Sequence, residues 1–465
     1  MKIHRIAAAA AAVASCLSAQ TLYTVVDLGS FPGFASSKPA AINDFGDVVG
    51  TCSASLSHRA FLYTDAAGLV DPGLPPGVSR SFGMAINNSG QIAVQTSFGA
   101  FSGIAGHAWR LTPGTGWQDL GHLGGGSSDP TFMNSAGDVV GVANLTSAGA
   151  YEPFVFRDGA GMVRLSPGSP GRAVAINDLG QVAGYSNSIL RFVPGIGMQN
   201  LGSPPLLPNV IAGAMDSAGN MVGVASTSNG HVRHLWHYSD ALGLRDLGWT
   251  GKRTVLRGMN NHGVVVGKYD DDNGTAYALV QFDEAVGPLR LDLFAPAGWS
   301  LFDAFGINDG GQIIAFGRLN GGPNRAVRLD PVFVASSQPV GNGCSGIPGT
   351  WPQLSATRPV LGSTFAMAIG TAANNSFGVV MFASGAPSPV PLGLGQGCTT
   401  YPNLSSVIGQ LSIATDATGA GTTGFSLPNT WQLAGMRVTT QAAVLSPTSS
   451  SFLDFSQGID LLLGF

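Results

Sequence analysis

The chain has 465 residues, enough for two domains, and only 10% of them are charged, against 67 glycines and 28 prolines. Its net charge is −4, and without Lys2 and Arg5 of the leader it is 26 acidic residues against 20 basic ones, or −6. That balance excludes a broad basic surface for nucleic acid, and no segment after the leader is long and apolar enough for a membrane helix.

Residues 1–19 read as a signal peptide. "MKIHR" is a positive start, "IAAAAAAVASCL" is an apolar run too short to span a bilayer, and Ala19 offers a cleavage point before Gln20. The alternative is a lipobox in "VASC", which would make Cys16 a lipidated first residue. Either way the protein is exported, to the cell envelope or the medium.

A turn then recurs along the chain: "AINDFGDVVG" at 41–50, and again at 85–94, 132–141, 175–184, 214–223, 258–267 and 306–315. Its first fixed residues are Asn43, Asn87, Asn134, Asn177, Asp216, Asn260 and Asn308, with steps of 44, 47, 43, 39, 44 and 48. Three residues later stand Gly46, Gly90, Gly137, Gly180, Gly219, Gly263 and Gly311. Asn and Asp fold back onto nearby backbone N–H groups, and Gly accepts positive φ. A calcium loop would keep its oxygens, whereas Val264 follows one of the glycines. The turn is therefore read as scaffold, with one four-stranded unit per repeat.

Each turn is followed by a second strand and then by a third, such as "HRAFLYT" (58–64), "GHAWRLT" (106–112) and "VRHLWHY" (232–238). A fourth follows, such as "GWQDLG" (116–121) and "GLRDLG" (243–248). The last repeat lacks its fourth strand after Asp330, and "TVVDLG" at 24–29 stands before the first turn. The expected fold is all-β: a seven-bladed β-propeller over 20–330 that the N-terminal strand closes, removing free sheet edges.

The "IN..G.VVG" turn, the "HRAF" and "HAW" of the third strands and the "DLG" of the fourth resemble the HAF-type extracellular repeat family of bacteria, over about residues 21–330. That resemblance implies export and repeat architecture, and no catalytic residues. The His-Ala-Phe element is degenerate, because Arg59 separates His58 from Ala60-Phe61 and later copies drop the His.

A linker is expected at 331–342, and a small β-sandwich-like domain at 343–465. The ending, from "WQLAGMRVTT" onward, resembles a domain appended to many exported bacterial proteins, which implies surface association. In an oxidising compartment Cys344 and Cys398 are expected to pair, worth about 3–4 kcal/mol by chain entropy, the alternative being two free thiols. Cys52 reads as a small buried apolar residue.

Chemistry is sparse. "HVRHLWH" places His231, His234 and His237 on a strand, where alternation splits them between faces and argues against a metal. "YDDDNG" (269–274) lacks EF-hand spacing, and "GHLGGGSSD" (121–129) opens no helix, so it is no phosphate cradle. No Ser elbow or Cys/His dyad stands out. No cofactor and no metal are expected.

Function is assigned to the variable connections, between strands two and three and between four and the next one. On the rim they form, "GWTGKRTVLRG" (248–258) carries Trp249, Lys252, Arg253 and Arg257, and the next repeat adds Trp299. These residues suit a glycan or peptide ligand on a surface or secreted binding protein, not an enzyme. The alternatives are a purely structural envelope protein, or a hydrolase or lyase using Asp129, Asp303 and Asp270.

Overall fold

A computed structural model describes residues 22–464, apart from 98–105, 147–150, 169, 229, 231–232, 250–252, 272, 282–287, 346–350, 393–397, 429–432 and 448–451. The leader, with Cys16 and Ala19, lies outside the described residues, as do Lys252 and His231. The chain is all-β and divides into two compact units, with Tyr23–Asp330 as one and Pro331–Phe465 the main part of the other.

In the first unit each repeat folds as a four-stranded antiparallel sheet with its strands in sequence order. The first sheet is Ser36–Ile42, Val48–Ser53, His58–Thr64 and Gly68–Val70. The last repeat supplies Trp299–Ile307, Ile313–Leu319 and Arg325–Pro331, and Tyr23–Asp27 pairs beside Arg325–Pro331 as the fourth strand. That arrangement is the one expected from the displaced "TVVDLG".

The recurring glycines have two jobs. Gly46 sits at φ +82°, and a Cβ there would meet Gln312 at 2.7 Å and Arg328 at 3.0 Å from the last sheet. The second glycine of the motif, as in Gly50 and Gly223, lies in a strand opposite an aromatic of the third strand, Phe61 or Trp236. The ring lies directly over the glycine, so a Cβ at Gly223 would come within 2.4 Å of Trp236 and 2.2 Å of the Ile211 carbonyl. The "VVG" and "HAF/HAW" elements are thus two halves of one packing contact.

Neighbouring sheets are pinned by arginines. Arg328 donates to the Gly46 carbonyl at 2.8 Å and meets Asp65 at 2.9 Å. Arg110 does the same with the Gly137 carbonyl at 2.7 Å and Asp158 at 2.6 Å. Arg191 pairs with Asp240 in the equivalent place. Within sheets, His107, just before its third strand, and His234, in its third strand, contact Asp119 and Asp246 of fourth strands at 3.0 and 2.7 Å. Those aspartates also accept the N–H of Gly121 and Gly248, which accounts for "DLG".

The second unit holds a sheet ordered Ser336–Val340, Gly458–Leu462, Arg437–Leu445, Phe377–Ser384, Val407–Ala414, with Leu453–Phe455 added beside Arg437–Leu445. A second sheet holds Gln353–Ala356, Thr364–Gly370 and Gly421–Ser426. Phe425 packs edge-on against Phe365 at 5.6 Å and Phe382 at 5.8 Å, so the two sheets share an apolar interior. The expected linker at 331–342 is not one, because Ser336–Val340 is paired throughout with Gly458–Leu462. Cys344 and Cys398 form a disulfide, and Cys52 is buried.

Candidate functional site

The seven turns meet at one end of the first unit and surround a cavity of about 200 Å³. Each turn is built alike. Asn43 Oδ1 accepts from the N–H of Phe45 at 3.1 Å and of Asp47 at 2.9 Å, which is the local capping expected from the sequence. Its Nδ2 donates onward to the carbonyl of Asn87 at 3.2 Å. Asn87 donates to Asn134, Asn134 to Asn177, Asn177 to Ser217, and Asn260 to Asn308 in the same way. Asn308 donates to Asn43 at 2.9 Å. Where Asp216 replaces Asn, the link is made by Ser217 N–H to Asn261 Oδ1 at 2.8 Å. The six turn asparagines are buried and committed to their neighbours, so this end is scaffold.

Above the turns, the first strand of every sheet carries a β-bulge at the same distance from its turn. The register skips between Pro39 and Ala41, Gly83 and Ala85, Pro130 and Phe132, Ala173 and Ala175, Ala212 and Ala214, Leu256 and Gly258, and Ala304 and Gly306. The skipped residues are Ala40, Met84, Thr131, Val174, Gly213, Arg257 and Phe305. A bulge re-aims a side chain, and several of these line a narrow passage of about 80 Å³ between the first strands. Arg257 is the charged member of the set.

Arg257 is therefore a correction to the sequence reading. It was grouped with the rim loop, but it lies in the strand Thr254–Met259 and lines the passage. It grips the buried Asp303 in two hydrogen bonds, both 2.8 Å, and stands 4.8 Å from the centre of the Phe305 ring. Lys38 approaches the same ring at 4.7 Å. Partial burial lowers the Lys38 amine below its usual range; Arg257 and Lys268 lower it further, and Asp303 opposes them.

Of the other rim residues, Trp249, Arg253 and Trp299 have backbones placed at or beside strand ends. Trp249 ends the strand Gly243–Trp249 opposite His234, and Trp299 opens the strand Trp299–Ile307 opposite Leu319. Arg253 is exposed, and its carbonyl accepts the N–H of Asp270 at 3.0 Å. The three carboxylates considered for catalysis sit on the third, sixth and seventh sheets. Asp303 is committed to Arg257, and Asp270 lies 3.9 Å from Lys268. Asp129 accepts from Gln95, and burial pushes its carboxyl above the ordinary range. Among the described residues no cluster of three His, Cys, Asp or Glu could hold a metal, and no helix could cross a membrane.

Sequence reasoning missed Lys38 and Phe305. The signal was there: counting back three residues from each turn Asn or Asp isolates Arg257 and Phe305 among small and apolar residues.

Four-stranded antiparallel sheets whose first strands face one passage define a propeller-like fold. No protein-family model and no curated protein matches the sequence. Among solved structures the chain is similar to a streptogramin B lyase, at 9% identity and TM-score 0.40, covering 68% of this chain and 100% of that one. It is similar also to the propeller domain of the trilobed protease of Pyrococcus furiosus, at 9% and 0.43 over 63% and 95% of the two chains. TolB from Acinetobacter baumannii follows at 13% and 0.37, over 62% and 64%. At these distances no residue role crosses to this chain.

Proposed function

We propose that residues 23–330 are a closed seven-bladed propeller of an exported, non-enzymatic binding protein. In this reading the ligand, a cell-surface glycan or a peptide, docks at the end away from the Asn turns, and the C-terminal unit serves surface association. The observation that carries it is the division of labour between the two ends. The connections between first and second strands are consumed by mutual hydrogen bonds, whereas antiparallel pairing carries the connections that differ between repeats to the opposite end. The disulfide and the leader support export. The shared roles of Gly50 with Phe61 and Gly223 with Trp236 support the resemblance to the HAF-type repeats.

A glycan and peptide array probed with the full chain tests this. A Trp249→Ala/Trp299→Ala double variant that loses the array signal while unfolding at the parent temperature supports rim binding, with about 1–3 kcal/mol lost per anchor. A variant that unfolds early and leaves every array spot unchanged assigns those rings to packing and favours the structural alternative.

A further inference from the structure

The chain has four lysines, at positions 2, 38, 252 and 268, and two of them act on one place. Burial disfavours the charged Lys38 amine, nearby Arg257 and Lys268 disfavour it further, and Asp303 is the counter-charge acting on it. Asp303 is already spent on the Nε and Nη2 groups of Arg257. Lys268 has Asp270 at 3.9 Å. Among the described residues Lys38 makes no ion pair and the Nη1 group of Arg257 no hydrogen bond. Lys38 is solvent-exposed, yet its amine lies against Phe305, which lines the passage together with Arg257. Below this cluster the passage is walled by Ala41, Ile86, Val174, Met215 and Ile307. Positive charge without a partner thus sits at the head of a small apolar bore.

We propose that this is a binding site for an organic carboxylate with an apolar tail, its head between Lys38 and the free edge of Arg257 and its tail directed into the passage. The proposal rests on the reading of this end as the binding end, and it names the chemistry. Two ammonium- and guanidinium-assisted hydrogen bonds to one carboxylate are among the stronger neutral-pH contacts available to a small acid. Phe305, unpaired at its bulge, supplies an apolar and cation-holding wall. Because the ligand binds as the carboxylate and favours the charged amine, affinity should be full above the acid's own titration and fall as the pH rises through the Lys38 pKa. Burial, Arg257 and Lys268 bring that fall to lower pH and Asp303 delays it, while Asp270 stands 3.9 Å from Lys268.

The test uses the full chain with isotope-labelled lysine side chains, so that few signals need assigning, titrated with hexanoate and with hexanamide. Hexanoate should shift the Lys38 signal saturably and raise the pH at which it titrates, while hexanamide should not. Lys38→Met should weaken hexanoate by about tenfold or more, and Lys38→Arg should retain most of the affinity. No saturable Lys38 shift, equal binding of the amide, or an unchanged affinity in Lys38→Met would overturn the proposal. Array binding that depends on Trp249 and Trp299 but ignores Lys38→Met would overturn it while leaving the rim reading intact.

Discussion

The side-chain amide of Asn308 donates to the backbone carbonyl of Asn43 at 2.9 Å, across 265 residues. It joins the last turn to the first and completes a chain of hydrogen bonds that begins at Asn43 itself. Asn308 is 4% exposed, and its Oδ1 also accepts the N–H of Gln312 at 2.9 Å. Asn308→Ala removes one of two donors to the Asn43 carbonyl, which keeps the Gly46 N–H at 3.1 Å, and the side-chain acceptor of the Gln312 N–H, so it should cost about 1–3 kcal/mol. Asn88→Ala, at the exposed end of the same system, should cost less than about 1 kcal/mol. Urea unfolding of the two variants checks this, and equal midpoints would contradict it.

The start of the chain and the last repeat meet a second time. The strand Tyr23–Asp27 completes the sheet of the last repeat, and Tyr23 is fully buried. Deleting residues 20–29 should therefore lower the melting temperature of the first unit by many degrees, unlike an ordinary terminal trim. A shift of about a degree or two would mean that the strand adds little.

Gly223 and Trp236 give a sharper test of the packing motif. The indole is fully buried over the glycine. Gly223→Ala must displace both the ring and the Ile211 carbonyl and should cost about 2–4 kcal/mol. Gly243→Ala offers the contrast, because that glycine has open space and φ +68°. The strain there should be about 1 kcal/mol. Similar losses for both would mean that backbone conformation, not the ring contact, sets the requirement.

These cases show what the sequence made legible. Repeat length, strand identity and the displaced N-terminal strand could all be read, because each depends on local alternation and on turn residues whose chemistry is fixed. His58–Thr64, for one, runs over the residues expected of it. The outward hydrogen bonds of the asparagines could not be read, since Nδ2 reaches a partner about one repeat away and nothing local demands it. Arg257 was misplaced for a related reason. A bulge adds a residue without a composition signal, and one residue turns a side chain from the sheet interior to the passage. The strand Ser336–Val340 was missed because its pairing partner lies at the far end of the domain.

The disulfide predicts behaviour separable from the first unit. Cys344 and Cys398 close a span of 54 residues. Reduction should destabilise the C-terminal unit by about 3–4 kcal/mol and leave the melting of the first unit in place. Non-reducing peptide mapping should recover that linked pair, and Cys52 should be alkylated only after unfolding, being buried with its thiol pushed up by burial. Alkylation of all three in the native protein would contradict both statements.

Asp129 gives a prediction about pH. Its carboxyl is pushed upward by burial, and the Gln95 amide and Arg172 pull it back only in part. The folded state therefore holds its proton at higher pH than the unfolded chain does. Between the ordinary Asp value and the raised one, the folded form binds more protons, so stability falls as pH rises through that window. At neutral pH the ionised Asp129 is a net cost to folding. Asp129→Asn removes the charge while its carbonyl can still accept from Gln95. The variant should be more stable than the parent at pH 7, and the difference should close as the pH falls below about 4. Urea midpoints from pH 3.5 to 8 would show it. A parent that is the more stable at pH 7 would mean that the hydrogen bond from Gln95 and the attraction to Arg172 outweigh burial.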